Sequence, residues 1–150
     1  QQKPEAFKLH RKAQFCLWSE PTLASYLSDL SVAEEKGDNL MTQKYAVIQG
    51  LIPKTNTSSH LEDILQIQLQ WQEEMLTNHP SFKERTRPLT DDETASQLVS
   101  FKSYAAGELE TYSEKTLELL YADLKQHQAD GVNGSIEIYT NLVKLSSELQ

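Results

Sequence analysis

Residues 7–30, FKLHRKAQFCLWSEPTLASYLSDL, and residues 101–124, FKSYAAGELETYSEKTLELLYADL, are two versions of one stretch, ninety-four positions apart (101 − 7). The correspondence runs on to 48 and 142, where Gly37 matches Gly131, Asn39 matches Asn133 and Tyr45 matches Tyr139. Counting also Phe7, Lys8, Ser19, Glu20, Thr22, Leu23, Asp29 and Leu30, eleven positions of the first copy are identical in the second. Ordinary composition would give about two or three. Self-similarity of this kind means that one supersecondary unit is used twice, and it settles the architecture before any single helix is placed.

Within each copy the local signals are helical. Leu23, Tyr26, Leu27 and Leu30 recur at the helical period, as do Leu117, Leu120, Tyr121 and Leu124, and both sets are expected to face the core. Pro21 fits a first helical turn with Ser19 or Glu20 as its cap, and Ser113 is the matching cap. Gly37 and Gly131 follow the last periodic residues, as left-handed C-caps do, and Asn39 and Asn133 then restart the chain as N-caps. Each copy therefore contains a short helical hairpin.

Working outward, helices are expected at about 6–18, 20–36, 40–50, 61–79, 95–111, 114–129 and 135–148, each boundary uncertain by about 2–4 residues. The segment Leu65-Gln66-Ile67-Gln68-Leu69-Gln70-Trp71-Gln72 alternates like a half-buried strand. It is nonetheless read as helix, because 61–79 contains no Gly or Pro and Gln favours helix over strand. The fold expected is an all-α bundle of about six to seven helices: two pseudo-symmetric repeats, 7–48 and 101–142, around a central helix at 61–79, forming a single domain over 1–150. Residues 53–59 read as a polar connector. The longer loop from Pro80 to Glu93 holds Lys83, Arg85 and Arg87, a basic spot whose simpler reading is solvation, although loops on rigid scaffolds often bind ligands.

Composition narrows the functional classes. With 14 Lys and Arg against 22 Asp and Glu, the net charge is −8, which disfavours nucleic acid and anionic membranes as partners. Cys16 is the sole cysteine, so disulfide frameworks and multi-thiolate zinc sites are excluded, and a reducing cytoplasm is the expected compartment. Neither a signal-peptide pattern nor an apolar run of about 18 residues is present. The opening Gln1-Gln2-Lys3-Pro4 lacks an initiator methionine, and a longer parent chain is expected.

Candidate functional residues emerge where polar side chains interrupt apolar stripes. Glu108 falls on the face formed by Phe101, Tyr104, Ala105 and Tyr112; Gln14 shares a face with Phe7 and Trp18, with Arg11 beside it; Gln68 and Gln72, one turn apart near Trp71, lie among Leu61, Leu65, Met75 and Leu76. Gln14 and Glu108 are repeat-equivalent. If the copies pack about a two-fold axis, Arg11 and Glu108 can meet. A buried carboxylate needs a cation, a raised pKa or water. Two readings stay open: a buried ion pair fixing the register of the repeats, or a small-molecule pocket lined by Trp18, Trp71, Tyr104 and Tyr112. On the second, Glu108→Gln spares folding and abolishes binding.

Other constellations are weaker. His10, His60, His79 and His127 show no metal-ligand spacing, and no metal or cofactor is expected. His60 and Asp63 read as helix-start residues, and Cys16 as a small buried hydrophobe. A phosphate loop and a nucleophile elbow are absent. Glu62, Asp63, Glu73 and Glu74 do not reproduce the paired acidic spacing of magnesium-dependent helical phosphohydrolases.

Arg11, Gln14-Phe15, Trp18, the stretch Tyr26 to Leu30 and the run GELETYSEKTL at 107–117 together resemble a bacterial family known as a domain of unknown function. Its stretches have the form RKSQFLTW, ESYLNDL and RGELxTYSxKTL, and the likeness spans nearly the whole chain. The resemblance implies a bacterial, cytoplasmic protein, in some members joined to or encoded near nucleotidyltransferase-like domains, and no particular activity. This chain has Ala106 where the family run has Arg. It also lacks a Gly-rich, Cys-containing N-terminal segment, so a site that used that segment is expected to be incomplete. The function expected is a non-catalytic binding or regulatory module, recognising either a small anionic or amphipathic ligand in a pocket at Arg11 and Glu108 or a protein partner. An enzyme, hydrolytic or nucleotide-processing, with Glu108 as general base is the alternative.

Overall fold

The computed structural model of the chain describes residues 4–90 and 99–148. Among the described residues it is all-helical, with α1 Pro4–Phe15, α2 Glu20–Glu35, α3 Leu40–Ile48, α4 Ser59–Asn78, α5 Phe101–Glu110, α6 Glu114–Ala129 and α7 Gly134–Glu148, plus a 3-10 turn at Pro80–Arg85. The stretch that alternates like a strand is the middle of α4, whose buried residues Ile64, Ile67, Trp71 and Met75 follow the helical period.

Local chemistry fixes the boundaries. Ser19 caps α2 by accepting from the Thr22 N–H, with Pro21 in the first turn, and Ser113 caps α6 by accepting from the Thr116 N–H. At the far end of α2, Gly37 adopts φ +76°, the Gly37 N–H donates to the Glu34 carbonyl and the Asp38 N–H to the Ala33 carbonyl. That is a Schellman closure, which needs a residue tolerant of positive φ. Asn39 then accepts from the Thr42 N–H and Asn133 from the Ile136 N–H, opening α3 and α7.

Two boundaries differ from expectation. α1 stops at Phe15 rather than 18, because the Cys16, Leu17 and Trp18 N–H groups turn back onto the carbonyls of Lys12, Gln14 and Phe15. This turn frees Ser19 to cap the next helix. α5 begins at Phe101 rather than 95, where extended Ser100 caps it and the Phe101 and Lys102 N–H groups donate to the carbonyls of Pro88 and Leu89. Positions 95–98 of the expected helix lie outside the described residues.

α2 and α6 pack against each other, and their caps cross over. Asp123 on α6 accepts from the Ser19 N–H at 2.9 Å and the Thr22 hydroxyl at 2.7 Å. Asp29 on α2 accepts from the Ser113 N–H at 3.0 Å and the Thr116 hydroxyl at 2.8 Å. Each bond of one set becomes a bond of the other under the ninety-four-position shift. The core runs from Tyr26 across Leu109, Tyr112, Leu117, Leu120 and Leu124 to Ile64, Leu65 and Trp71.

One consequence of this packing corrects the expected core. α4 covers α6, burying Leu117, Leu120 and Leu124, whereas on α2 Leu27 is 64% exposed and Leu30 39% exposed. Cys16, expected to be buried, is exposed, since the turn after α1 carries it outward. No helix among the described residues is long and apolar enough to cross a membrane.

Candidate functional site

α1, α3 and α5 converge on Glu108. Gly107 permits the approach of α3: a Cβ there would lie 2.5 Å from Ile48 Cγ1 and 3.3 Å from the Lys44 carbonyl oxygen. Lys44, 1% exposed, thereby places its Nζ 2.9 Å from Tyr104 Oη and 3.2 Å from Glu108 Oε1. From α1, Arg11 Nη1 donates to both carboxylate oxygens, at 2.8 and 2.9 Å, and Gln14 Nε2 donates to Oε2 at 3.1 Å. The Tyr112 hydroxyl, one turn along α5, also donates to Oε2. Arg11 further bonds Gln14 Oε1 at 3.1 Å and Tyr26 Oη at 3.4 Å.

Five hydrogen bonds from four donor groups exceed the roughly four lone-pair sites of one carboxylate, so no acceptor capacity is left over. Burial by itself would raise the Glu108 carboxyl. The charges of Arg11 and Lys44, with hydrogen bonds from Tyr112 and Arg11, outweigh it and hold the group down to about 2. A carboxylate held there is a weak base at neutral pH. Burial pushes Lys44 down, against the pull of Glu108, and pushes Tyr112 well up.

Next to this network lies a cavity of about 120 Å³, walled by α1, α4, α5 and α7. Trp18, Trp71, Phe101, Tyr104 and Tyr112 give it an aromatic lining, and His10, Gln14, Gln68, Gln72 and Glu108 give it polar edges. Gly134 lets α7 close on its wall, since a Cβ there would meet Trp71 Cζ3 at 2.5 Å. Two polar atoms on this wall are buried without a hydrogen-bond partner among the described residues: Gln68 Oε1 and Gln72 Nε2. Gln72 is 1% exposed and lies beside the Tyr139 hydroxyl.

Of the residues singled out in the sequence, Gln14, Trp18, Gln68, Trp71, Gln72, Tyr104, Glu108 and Tyr112 all line this cavity. Arg11 does not; it faces a separate groove and reaches Glu108 from behind. Sequence reasoning does not single out Lys44, although it shares a stripe with Leu40, Val47 and Ile48 on α3, nor the Tyr26 hydroxyl, whose ring belongs to the apolar face of α2. Lys83 is exposed, as a solvated loop predicts, whereas Arg87 lies with its Cζ 4.3 Å from the centroid of the Tyr104 ring. Among the described residues no group of three or more His, Cys, Asp or Glu is placed to hold a metal ion.

A family model described as protein of unknown function (DUF4125) matches residues 1–147. The chain belongs to this family. Comparisons with curated proteins and with solved structures returned no match. For DUF4125, this chain supplies an all-helical architecture in which the run 107–117 provides both Glu108 and its partner Tyr112.

Proposed function

We propose that this chain is a non-catalytic binding module for a small ligand, about one ring in size, held in the cavity between α1, α4, α5 and α7. The observation that carries this reading is the pair Gln68 Oε1 and Gln72 Nε2, one acceptor and one donor, both buried on the cavity wall without a hydrogen-bond partner among the described residues. A buried amide atom left unpaired costs about 1–3 kcal/mol. A ligand with a donor and an acceptor of its own would remove that cost. The volume suits it, because a dry cavity of about 150 Å³ takes up benzene. Glu108, with Arg11 and Lys44, is the anchor that holds the aromatic wall. Use of Glu108 as a general base, the enzymatic alternative, sits poorly with a carboxyl held at about 2.

The test is a thermal-shift screen of single-ring compounds bearing adjacent donor and acceptor groups, on the wild type and on Gln72→Leu. The variant is expected to melt at or above the wild type, since it removes an unpaired amide, and to lose the ligand shift. Equal shifts in both proteins, or none in the wild type, would sink the reading.

A protein partner is the second reading, favoured by exposed Leu27 and Leu30, whose counterparts Tyr121 and Leu124 lie on the α6 face that packs against α4. Sedimentation of wild type against Leu27→Glu checks it, with loss of association expected in the variant. We also read the chain as one domain of two pseudo-symmetric repeats, on the reciprocal caps of α2 and α6. A bacterial cytoplasm is the assigned compartment, on the lone Cys16 and the family resemblance.

A further inference from the structure

The loop at 86–90 brings a third cation to the site. Backbone bonds from Phe101 and Lys102 to Pro88 and Leu89 pin this loop to the start of α5. Arg87 Nη1 donates to the Val99 carbonyl at 3.3 Å, and the guanidinium lies over the Tyr104 ring, which lines the cavity. No carboxylate among the described residues forms an ion pair with Arg87, and the backbone bond uses one of its five N–H donors. Arg11 and Lys44 share the Glu108 carboxylate, and Arg87 stands on the Tyr104 ring beside them. Among these four described side chains the cations outnumber the carboxylate by two (3 − 1), in a protein whose net charge is −8.

That excess is felt on the cavity wall. His10 is held below its usual pKa by burial first and then by Arg11, with Arg87 and Lys44 adding to the effect and Glu108 opposing it. Burial raises the Tyr139 hydroxyl, and Gln72 and the Arg87 charge oppose the rise. Arg87 thus acts on three lining residues, Tyr104, His10 and Tyr139, from three different helices. An uncharged ligand would leave the excess uncompensated, and a cationic one would add to it. A compact anion would be drawn in, with the strength expected of a charge-assisted contact in a partly dry site.

We propose that the ligand of this cavity is a compact ring carboxylate that also carries a hydroxyl, its ring against Trp71 and Tyr104, its hydroxyl at Gln68 and Gln72 and its carboxylate at the edge served by Arg87. This rests on the cavity reading above and adds the charge of the ligand and the residue that selects it. The experiment is calorimetric titration of 4-hydroxybenzoate and 4-hydroxybenzamide, probes of nearly equal shape that share the hydroxyl and differ in charge, into the wild type and Arg87→Gln. The carboxylate is expected to bind the wild type at least tenfold more tightly than the amide. Arg87→Gln should erase that preference and melt near the wild type, because among the described residues Arg87 makes one backbone bond and no ion pair. The preference should also shrink as salt rises from about 20 to about 500 mM. Equal binding of the two probes, or a carboxylate preference that survives in Arg87→Gln, overturns the charge assignment and leaves the cavity reading standing. Binding of neither probe to the wild type overturns both.

Discussion

Replacing Glu108 by Gln removes one charge from the centre of the molecule and tests how the site is held together. The side chain keeps its size, but Arg11 and the 1%-exposed Lys44 lose the carboxylate they share, and the new amide presents N–H groups to donors it cannot accept from. Breaking one partner of a buried pair costs about 3–5 kcal/mol. The pKa gives an independent figure. A fall from 4.5 to about 2 on folding corresponds to about 3 kcal/mol of stability at neutral pH, at about 1.36 kcal/mol per unit. A chain of this size is stable by about 5–15 kcal/mol in all. Glu108→Gln should then lower the melting temperature by about 6–20 °C, at about 2–4 °C per kcal/mol.

Urea unfolding followed by far-UV circular dichroism, at a series of pH values, measures it. The sign is set by linkage: the folded pKa is depressed, so the stabilisation is complete above about 4.5 and is lost as pH falls towards about 2. The gap between wild type and variant should therefore be full at pH 7 and close between about pH 5 and 2. Adding Lys44→Met to Glu108→Gln should recover part of the loss by removing an unpaired buried ammonium. A loss below about 1 kcal/mol, or a gap that does not change with pH, would refute the description of Glu108 as the charged anchor of three helices.

Three further outcomes are expected. Gly107→Ala should push α3 from α5, stretch the Lys44–Glu108 contact and cost about 1–3 kcal/mol in urea unfolding; a neutral result would mean that Ile48 yields freely. Asp29→Ala and Asp123→Ala should each cost about 1–3 kcal/mol, and by similar amounts, because each carboxylate caps the other helix with two hydrogen bonds; a large inequality in unfolding midpoints would break the two-fold relation. His10 binds protons less readily folded than unfolded, so stability should fall as pH drops below about 6.5; His10→Gln should flatten that part of the stability curve, and an unchanged slope would place the effect elsewhere.

The helices were legible in the local chemistry of the chain, and so was the recurrence of residues 7–48 at 101–142. Caps such as Ser19, Ser113, Asn39 and Asn133, the glycine stop at 37 and the 3.6-residue period act within a turn or two, so they can be read without knowing any partner helix. The inward polar set was legible for the same reason: Gln14, Gln68, Gln72 and Glu108 interrupt apolar stripes on their own helices. Lys44 offered the same signal in a nine-residue helix too short to make it stand out. Which charges meet depends on how the helices pack. That Glu108 is an anchor held by four donor groups and not a lone carboxylate depends on α1 and α3 arriving together, and Arg87 acquires its place from backbone bonds between a loop and α5. The two equivalent apolar faces of α2 and α6 likewise read alike in sequence. Which one is buried was settled by α4, which can cover only one of them.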